Sequence, residues 1–252
     1  MKLLQEILKT KAIVLRARNY SEADQLLTLY TEKAGKLTAI VKGVKKPKSK
    51  LRGGVQVFSH TNIALFLGKS LATVTQAEPI DTFSPLREDL LRMSYAAYLA
   101  EFFDVITPEG EQDIRLFTLF LIGLHLLSLD DPWLVARVME IRLLTELGYQ
   151  LQLANCVNCG QKVSLGILFA PESGGVICPD CSGEKLGNGI IKISGETIVL
   201  LYQFMEMELS KINRLRISAK AKKEIEEILD LHITACLGKK LKSKDFLNSI
   251  SV

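Results

Sequence analysis

At 252 residues, with 48% hydrophobic and 24% charged side chains, the chain has ample material for packed cores, and two or three domains are expected rather than one. The longest uncharged stretch, Leu116–Leu129, has 14 residues and falls short of the roughly 20 needed to cross a bilayer, so a buried core helix is expected there. The opening residues Met1–Glu6 break their apolar run too early for a signal peptide, and a cytoplasmic protein without membrane association is expected. The net charge of +4 conceals an uneven distribution. Lys42, Lys45, Lys46, Lys48, Lys50 and Arg52 fall within eleven residues that contain no acid, and they exceed the whole net charge. The remainder of the chain is therefore mildly acidic.

Residues 1–80 read as strands. Ala12–Leu15, Leu26–Thr31 and Leu37–Val41 are short and rich in apolar or β-branched residues, with turn residues Asn19, Ser21 and Gly35 between them. Val55–Phe58 leads into Asn62–Leu67, and Gly68 turns the chain into Leu71–Thr75. Five strands with a charged excursion between the third and fourth predict a small closed barrel. The oligonucleotide-binding (OB) type is the natural candidate, although the pattern alone does not separate it from other small barrels.

From Pro85 the period becomes helical. Leu86, Leu90, Met93, Ala97 and Ala100 share a face, and Thr107–Gly110 ends it. Further helices are predicted over Ile114–Leu129, Pro132–Leu147, Ile198–Leu209 and Ser218–Leu237. Ser194 stands as an N-cap, and Gly148 and Gly238 as C-terminal breaks. The expected fold class is α+β and multidomain. It comprises an OB-type barrel (1–80), an α-helical bundle domain (81–150 and 186–252), and a four-cysteine module (151–185) inserted into that bundle.

The module carries Cys156-Val-Asn-Cys159 and, after eighteen intervening residues, Cys178-Pro-Asp-Cys181. Each Cys-x-x-Cys pair turns two thiolates towards one point, and two pairs complete a tetrahedral four-sulfur cage. Gly160, Gly174, Gly175 and Pro179 suit the tight turns required. Two disulfides are the alternative, disfavoured in a cytosolic-type chain. Iron fits the same donors; one structural zinc is expected, because no spare ligand or redox partner motif accompanies the cage. With all four positions filled by protein, no site is left open for catalysis.

Catalytic motifs are missing. The glycine–lysine pairs at Gly35, Gly68 and Gly238 have Tyr30, Ile63 and Ile233 where a phosphate-binding P-loop needs its first glycine. Neither a Gly-x-Ser-x-Gly elbow nor a His-Glu-x-x-His pair occurs. His60, His125 and His232 lie in apolar strand or helix settings and read as core or boundary residues, and Cys236 reads as a small buried hydrophobe. A non-enzymatic role is expected. A basic run is most often a solvated loop, but six cations without an acid also suit a polyanion. Lysines Lys239, Lys240, Lys242 and Lys244 near the C-terminus read as a solvated tail or a secondary contact. Tyr30, Phe58 and Phe66 are candidate stacking platforms, with core burial the commoner fate.

Taken together these pieces resemble the RecO family of bacterial recombination mediators. The resemblance is carried by Ala12–Arg16 with Tyr20–Asp24, by Gly35 and Lys42–Lys46, by Glu140–Leu144 with Leu147–Tyr149, and by Lys240–Lys244. It covers nearly the whole chain in order. It implies a cytoplasmic, nucleoid-associated protein that binds single- and double-stranded DNA, anneals complementary strands, and helps RecR load the RecA recombinase onto strands coated by single-strand-binding protein. It also implies that the acidic tail of single-strand-binding protein docks on the helical domain, and it places a family basic position at Arg137, with Ile141 beside it. The alternative is that Arg137 pairs with Glu140 and Ile141 fills the core. A runner-up function is an RNA-binding or translation-associated zinc-ribbon protein, and a third is an assembly scaffold.

Overall fold

The computed structural model describes residues 7–68, 71–163, 168–182 and 189–250, so Met1–Glu6 and the end of the expected 151–185 module lie outside the described residues. The described chain divides into two compact units, Met1–Leu129 with Asp245–Val252, and Asp130–Lys244.

The first unit opens with a closed five-stranded barrel. Strands β1 (Ile7–Asn19), β2 (Gln25–Thr31), β3 (Gly35–Val41), β4 (His60–Phe66) and β5 (Ala72–Asp81) lie in the order β1-β2-β3-β5-β4, and β4 returns to β1. The 13-residue β1 serves two neighbours. Ile7–Ile13 pair with β4, and Ala12–Asn19 pair with β2. The register shifts between Val14 and Arg16, where Val14 exchanges hydrogen bonds with Phe58 and Ser59 (2.7 and 3.1 Å). A bulge of this kind bends a strand and lets a small barrel close. The remaining seam is the short parallel pairing of Ala39 and Ile40 with Ala72 and Thr73. This is the OB-type barrel that the strand pattern predicts.

Alternation fills the interior with Ala12, Val14, Leu27, Leu29, Ala39, Val41, Ile63, Leu65 and Val74, all at most 8% exposed. Each aliphatic side chain of this size contributes about 1.5–3 kcal/mol on leaving water. The segment read as a strand at Val55–Phe58 is instead a 3-10 turn, Arg52–Val55, followed by a turn in which Phe58 adopts φ 71°. Its apolar residues serve a different purpose: Val55, together with Val44, joins the barrel core as a plug.

Helices α1 (Ser84–Glu88), α2 (Leu90–Ile106) and α3 (Ile114–Leu129) belong to the same unit as the barrel. The single helix expected from Pro85 is broken because Asp89 is extended and caps α2 by accepting from the Arg92 N–H. The buried Lys36 on β3 donates to the carbonyls of Asp104 and Thr107, placing a cation at the C-terminal end of α2, where the helix dipole favours one. Tyr30 and Phe103 meet edge-on at 4.7 Å, and Phe103 stacks on Phe120.

In the second unit, α4 (Pro132–Glu146), α5 (Gly195–Glu206) and α6 (Ala219–Leu237) pack on one another, and the unit also holds a small sheet. That sheet has the order β7-β6-β8, built from β6 (Leu168–Ala170), β7 (Gly175–Ile177) and β8 (Ile191–Lys192). Asp131 caps α4, Ser194 caps α5 and Ser218 caps α6. Glu224 of α6 reinforces the start of α5: burial opposes its charge, but donors from Thr197 and Ser194 outweigh this and hold the carboxyl below its ordinary range. The helices on either side of the cysteines do pack together, but α2 and α3, expected in the same bundle, group with the barrel. The reason is the apolar outer wall that Tyr30, Ile13 and Leu15 give the barrel, which needs a cover.

Candidate nucleic-acid interface and metal centre

The basic segment leaves β3 at Lys42 and is held by its backbone. Asp24, in the turn between β1 and β2, accepts from the Gly43 N–H at 2.7 Å; Lys45 N–H reaches Ala23 O at 3.1 Å, and Lys45 Nζ reaches Ser21 O at 3.2 Å. Arg52 closes the far end by donating through Nη2 to Lys45 O (2.7 Å) and Lys46 O (3.3 Å). The charged heads of Lys42, Lys46, Lys48 and Lys50 remain exposed, while Lys45 is half-buried. The segment is therefore a tethered loop with its cations turned to solvent. Arg52, grouped with the lysines on sequence grounds, spends much of its guanidinium holding the loop in shape.

Asp24 and Arg52 are the tethers that sequence reasoning missed. An aspartate in a polar turn gives no sign of a partner nineteen residues away. The Gly43 N–H is the main influence lowering the Asp24 carboxyl, with Ser21 and the loop lysines assisting. Because the folded-state value is depressed, the tether is complete above the ordinary carboxylate pKa and is lost as pH falls through the lower folded value. Asp24→Ala should accelerate hydrogen exchange at the Gly43 amide at neutral pH and leave the barrel amides protected. Unchanged exchange at Gly43 would show that other contacts hold the loop.

Of the aromatic candidates, Tyr30 and Phe58 are core residues at 1% and 5% exposure, and Phe66 is half-buried. Burial pushes the Tyr30 hydroxyl up to about 12, with Asp113 and Glu111 adding to the effect. Tyr20 is the exposed aromatic on this side. It is 61% accessible and sits in the Tyr20–Asp24 turn that anchors the loop. Lys239, Lys240, Lys242 and Lys244 do not form a free tail, since Lys242 begins α7 (Lys242–Ile250) and Lys244 pairs with Asp230 at 2.7 Å.

The four cysteines converge. Sγ atoms of Cys156, Cys159, Cys178 and Cys181 all lie within 4.8 Å of one another, and Cys159 and Cys178 stand 3.7 Å apart. Zinc–sulfur bonds of about 2.3 Å in a tetrahedron need nearly this spacing. The first knuckle turns on Gly160 at φ +75°, whose N–H donates to Cys156 O at 2.8 Å. The second is the 3-10 turn Pro179–Cys181. Behind them Gly174, at φ +69°, packs so tightly under His232 of α6 that a Cβ would stand 2.8 Å from the ring. His232 itself faces the carbonyls of Pro171 (2.9 Å) and Tyr149 (3.2 Å), so it braces the module and is not a ligand.

The thiols do not share one proton affinity. Burial opposes ionisation of Cys156, yet the backbone donors of Cys178, Cys159 and Asn158 bring it to about 6. Cys178 is pushed up to about 12 by burial and by the neighbouring thiols. Four thiolates this close repel one another, and a bound cation removes that penalty. The donor set fits a metal ion.

Arg137 and Ile141 are not displayed for a partner. Both are 1% exposed on α4, and Arg137 Nη2 meets Glu140 Oε1 at 2.6 Å, with Glu140 fully buried. Arg137 Nη1 also stands 3.8 Å from Asp230. The cation is engaged inside the unit and Ile141 fills the core, the alternative arrangement weighed for these two residues. An arginine three residues from a glutamate on a helix looks like a surface pair in sequence, and nothing local betrays its burial.

Comparison with known proteins completes the assignment. Residues 1–83 match the family model for the N terminal of recombination protein O, and residues 87–245 match that for its C terminal. The chain belongs to the RecO family. It is 36% identical over 243 residues to the DNA repair protein RecO of Symbiobacterium thermophilum, covering 94% of this chain and 95% of that protein. It is 39% identical over 234 residues to that of Desulfitobacterium hafniense (92% and 86%), and 37% identical over 246 residues to that of Moorella thermoacetica (97% and 91%). This is therefore a DNA repair protein of the RecO family, with a four-cysteine group suited to a metal. No described helix is long and apolar enough to cross a membrane.

Proposed function

We propose that this RecO-family chain is a non-enzymatic recombination mediator of the cytoplasm and nucleoid. It binds single- and double-stranded DNA through the loop from Lys42 to Arg52 on the OB barrel, and it anneals complementary strands. With RecR it helps load RecA onto DNA coated by single-strand-binding protein, whose acidic tail it engages on its helical part. One structural zinc sits on Cys156, Cys159, Cys178 and Cys181 and holds the module in shape. The observation that carries this reading is the tethered loop: Lys42, Lys45, Lys46, Lys48, Lys50 and Arg52 on a backbone fixed by Asp24, Ala23 and Arg52.

Lysines meet phosphates as flexible point charges, not as the bidentate forks that read base edges, so such a loop grips strands of any sequence. Annealing of arbitrary complements requires this tolerance. Tyr20, exposed in the turn that anchors the loop, is the aromatic expected to stack on a base there.

Changing Lys45, Lys46 and Lys48 to alanine should weaken oligonucleotides of different sequence alike and slow annealing. Each phosphate contact removed flattens the single-strand log-affinity against log-salt slope by roughly 0.7, so three should change it by about 2. Wild-type affinity and slope in the triple variant would remove the loop from the DNA site. Tighter binding of a matched RNA strand, with no annealing of bare or coated DNA, would favour the RNA-binding reading instead.

A further inference from the structure

Beside the basic loop, a groove of about 420 Å³ opens between the end of β1, the 3-10 turn and α1. Three cations line it, Lys45, Arg52 and Arg87, together with the primary amides of Gln25 and Gln56 and a floor that includes Val55 and Val57. No carboxylate lines it. Each cation is lashed to main-chain carbonyls: Lys45 to Ser21, Arg52 to Lys45 and Lys46, and Arg87 to Thr82 and Val57. None of the three makes an ion pair with a described residue. Carbonyl bonds orient a cation without cancelling its charge, so the groove holds fixed positive charge awaiting an anion.

We propose that this groove seats one nucleotide of single-stranded DNA. Its phosphate lies between Arg52, Arg87 and Lys45, its base lies on the valine floor, and the Gln25 and Gln56 amides meet the base edge. The volume falls within the 300–1,000 Å³ common for small-ligand sites. Amides can donate and accept, so they suit every base edge without demanding one. A duplex keeps its bases stacked and paired, so only an unpaired strand can place a base here. The proposal rests on the reading of the basic loop as the DNA contact, and it extends that contact to Arg87, beyond the residues matched by the N-terminal family model.

Gln56 is exposed, its carbonyl holds the Ser59 N–H through the main chain, and its side chain bonds to no described residue, so Gln56→Glu adds a carboxylate to the groove without threatening the fold. With the full chain and fluorescently labelled oligonucleotides, Gln56→Glu should weaken a single strand about tenfold, and the matching duplex no more than about twofold. A single strand bearing abasic residues should bind wild type about fivefold more weakly than the intact strand, and Gln56→Glu should abolish that difference. Unchanged single-strand affinity in Gln56→Glu, or an equal loss for duplex, would overturn the groove. Lys46→Ala/Lys48→Ala, both outside the groove, separates the two ideas. If that variant weakens binding and Gln56→Glu does not, the loop stands and the groove falls; if neither does, both fall.

Discussion

Cys178→Ser should strip the metal from the chain and unfold the cysteine module while leaving the barrel folded. Apparent metal-binding free energies in four-ligand zinc peptides reach about 10–16 kcal/mol, and that energy is spent on folding the segments that carry the ligands. The cluster around the cage consists of Cys156, Ala170, Ile177 and Cys178, with only a few partly buried aliphatics beside them, and its strands are two or three residues long. Elemental analysis should find about one zinc per wild-type chain and none in the variant. Protease should then cut the variant within residues 151–182. Iron in the wild type, or a variant that resists protease as well as the wild type does, would reject the structural-zinc assignment. Since the basic loop lies on the barrel, binding to a bare oligonucleotide should survive the substitution.

Glu140→Ala should destabilise the second unit by about 3–5 kcal/mol, because it leaves the Arg137 guanidinium buried at 1% exposure without its carboxylate. The paired replacement Arg137→Leu/Glu140→Leu should recover much of that loss, since two apolar side chains can fill the same space without a desolvated charge. The chain carries its own reporter for this measurement. Its one tryptophan, Trp133, sits on α4, donates to Glu226 at 2.6 Å and lies under the Lys222 ammonium. Tryptophan fluorescence followed through urea denaturation therefore reads the second unit. A Glu140→Ala midpoint equal to that of the wild type would mean that the pair contributes nothing. A tail peptide of single-strand-binding protein titrated against the double variant would also show whether docking needs this cation.

Local chemistry made much of the fold legible in advance. Alternating apolar residues gave the barrel strands, Ser194, Ser218 and Gly238 marked helix ends where the structure has them, and the doubled Cys-x-x-Cys pattern named the four residues that converge. What stayed hidden depended on neighbours distant in sequence. Val55 and Phe58 looked like strand residues because they are apolar, yet Val55 plugs the barrel and Phe58 bends the chain. Lys36 gave no sign that it would fasten α2 to β3, so the grouping of α2 and α3 with the barrel was not foreseen. At the candidate DNA surface the charge was plain from composition, but the features that shape it were not. Asp24, Arg52 and Arg87 act on carbonyls and amide protons that no residue pattern records.

The tethering of the basic loop bears on the timing of encounters. A disordered cationic arm has to be ordered as it binds, and the entropy lost lowers its affinity. Here Asp24, Ala23 and Arg52 have fixed the main chain before any strand arrives, and only lysine side chains remain to settle. Association can then proceed at the pace set by long-range attraction, with no folding step to await, and it slows as added salt shortens that attraction. On the proposed reading of the loop as the DNA contact, such a surface takes up successive strands without rearranging its own backbone.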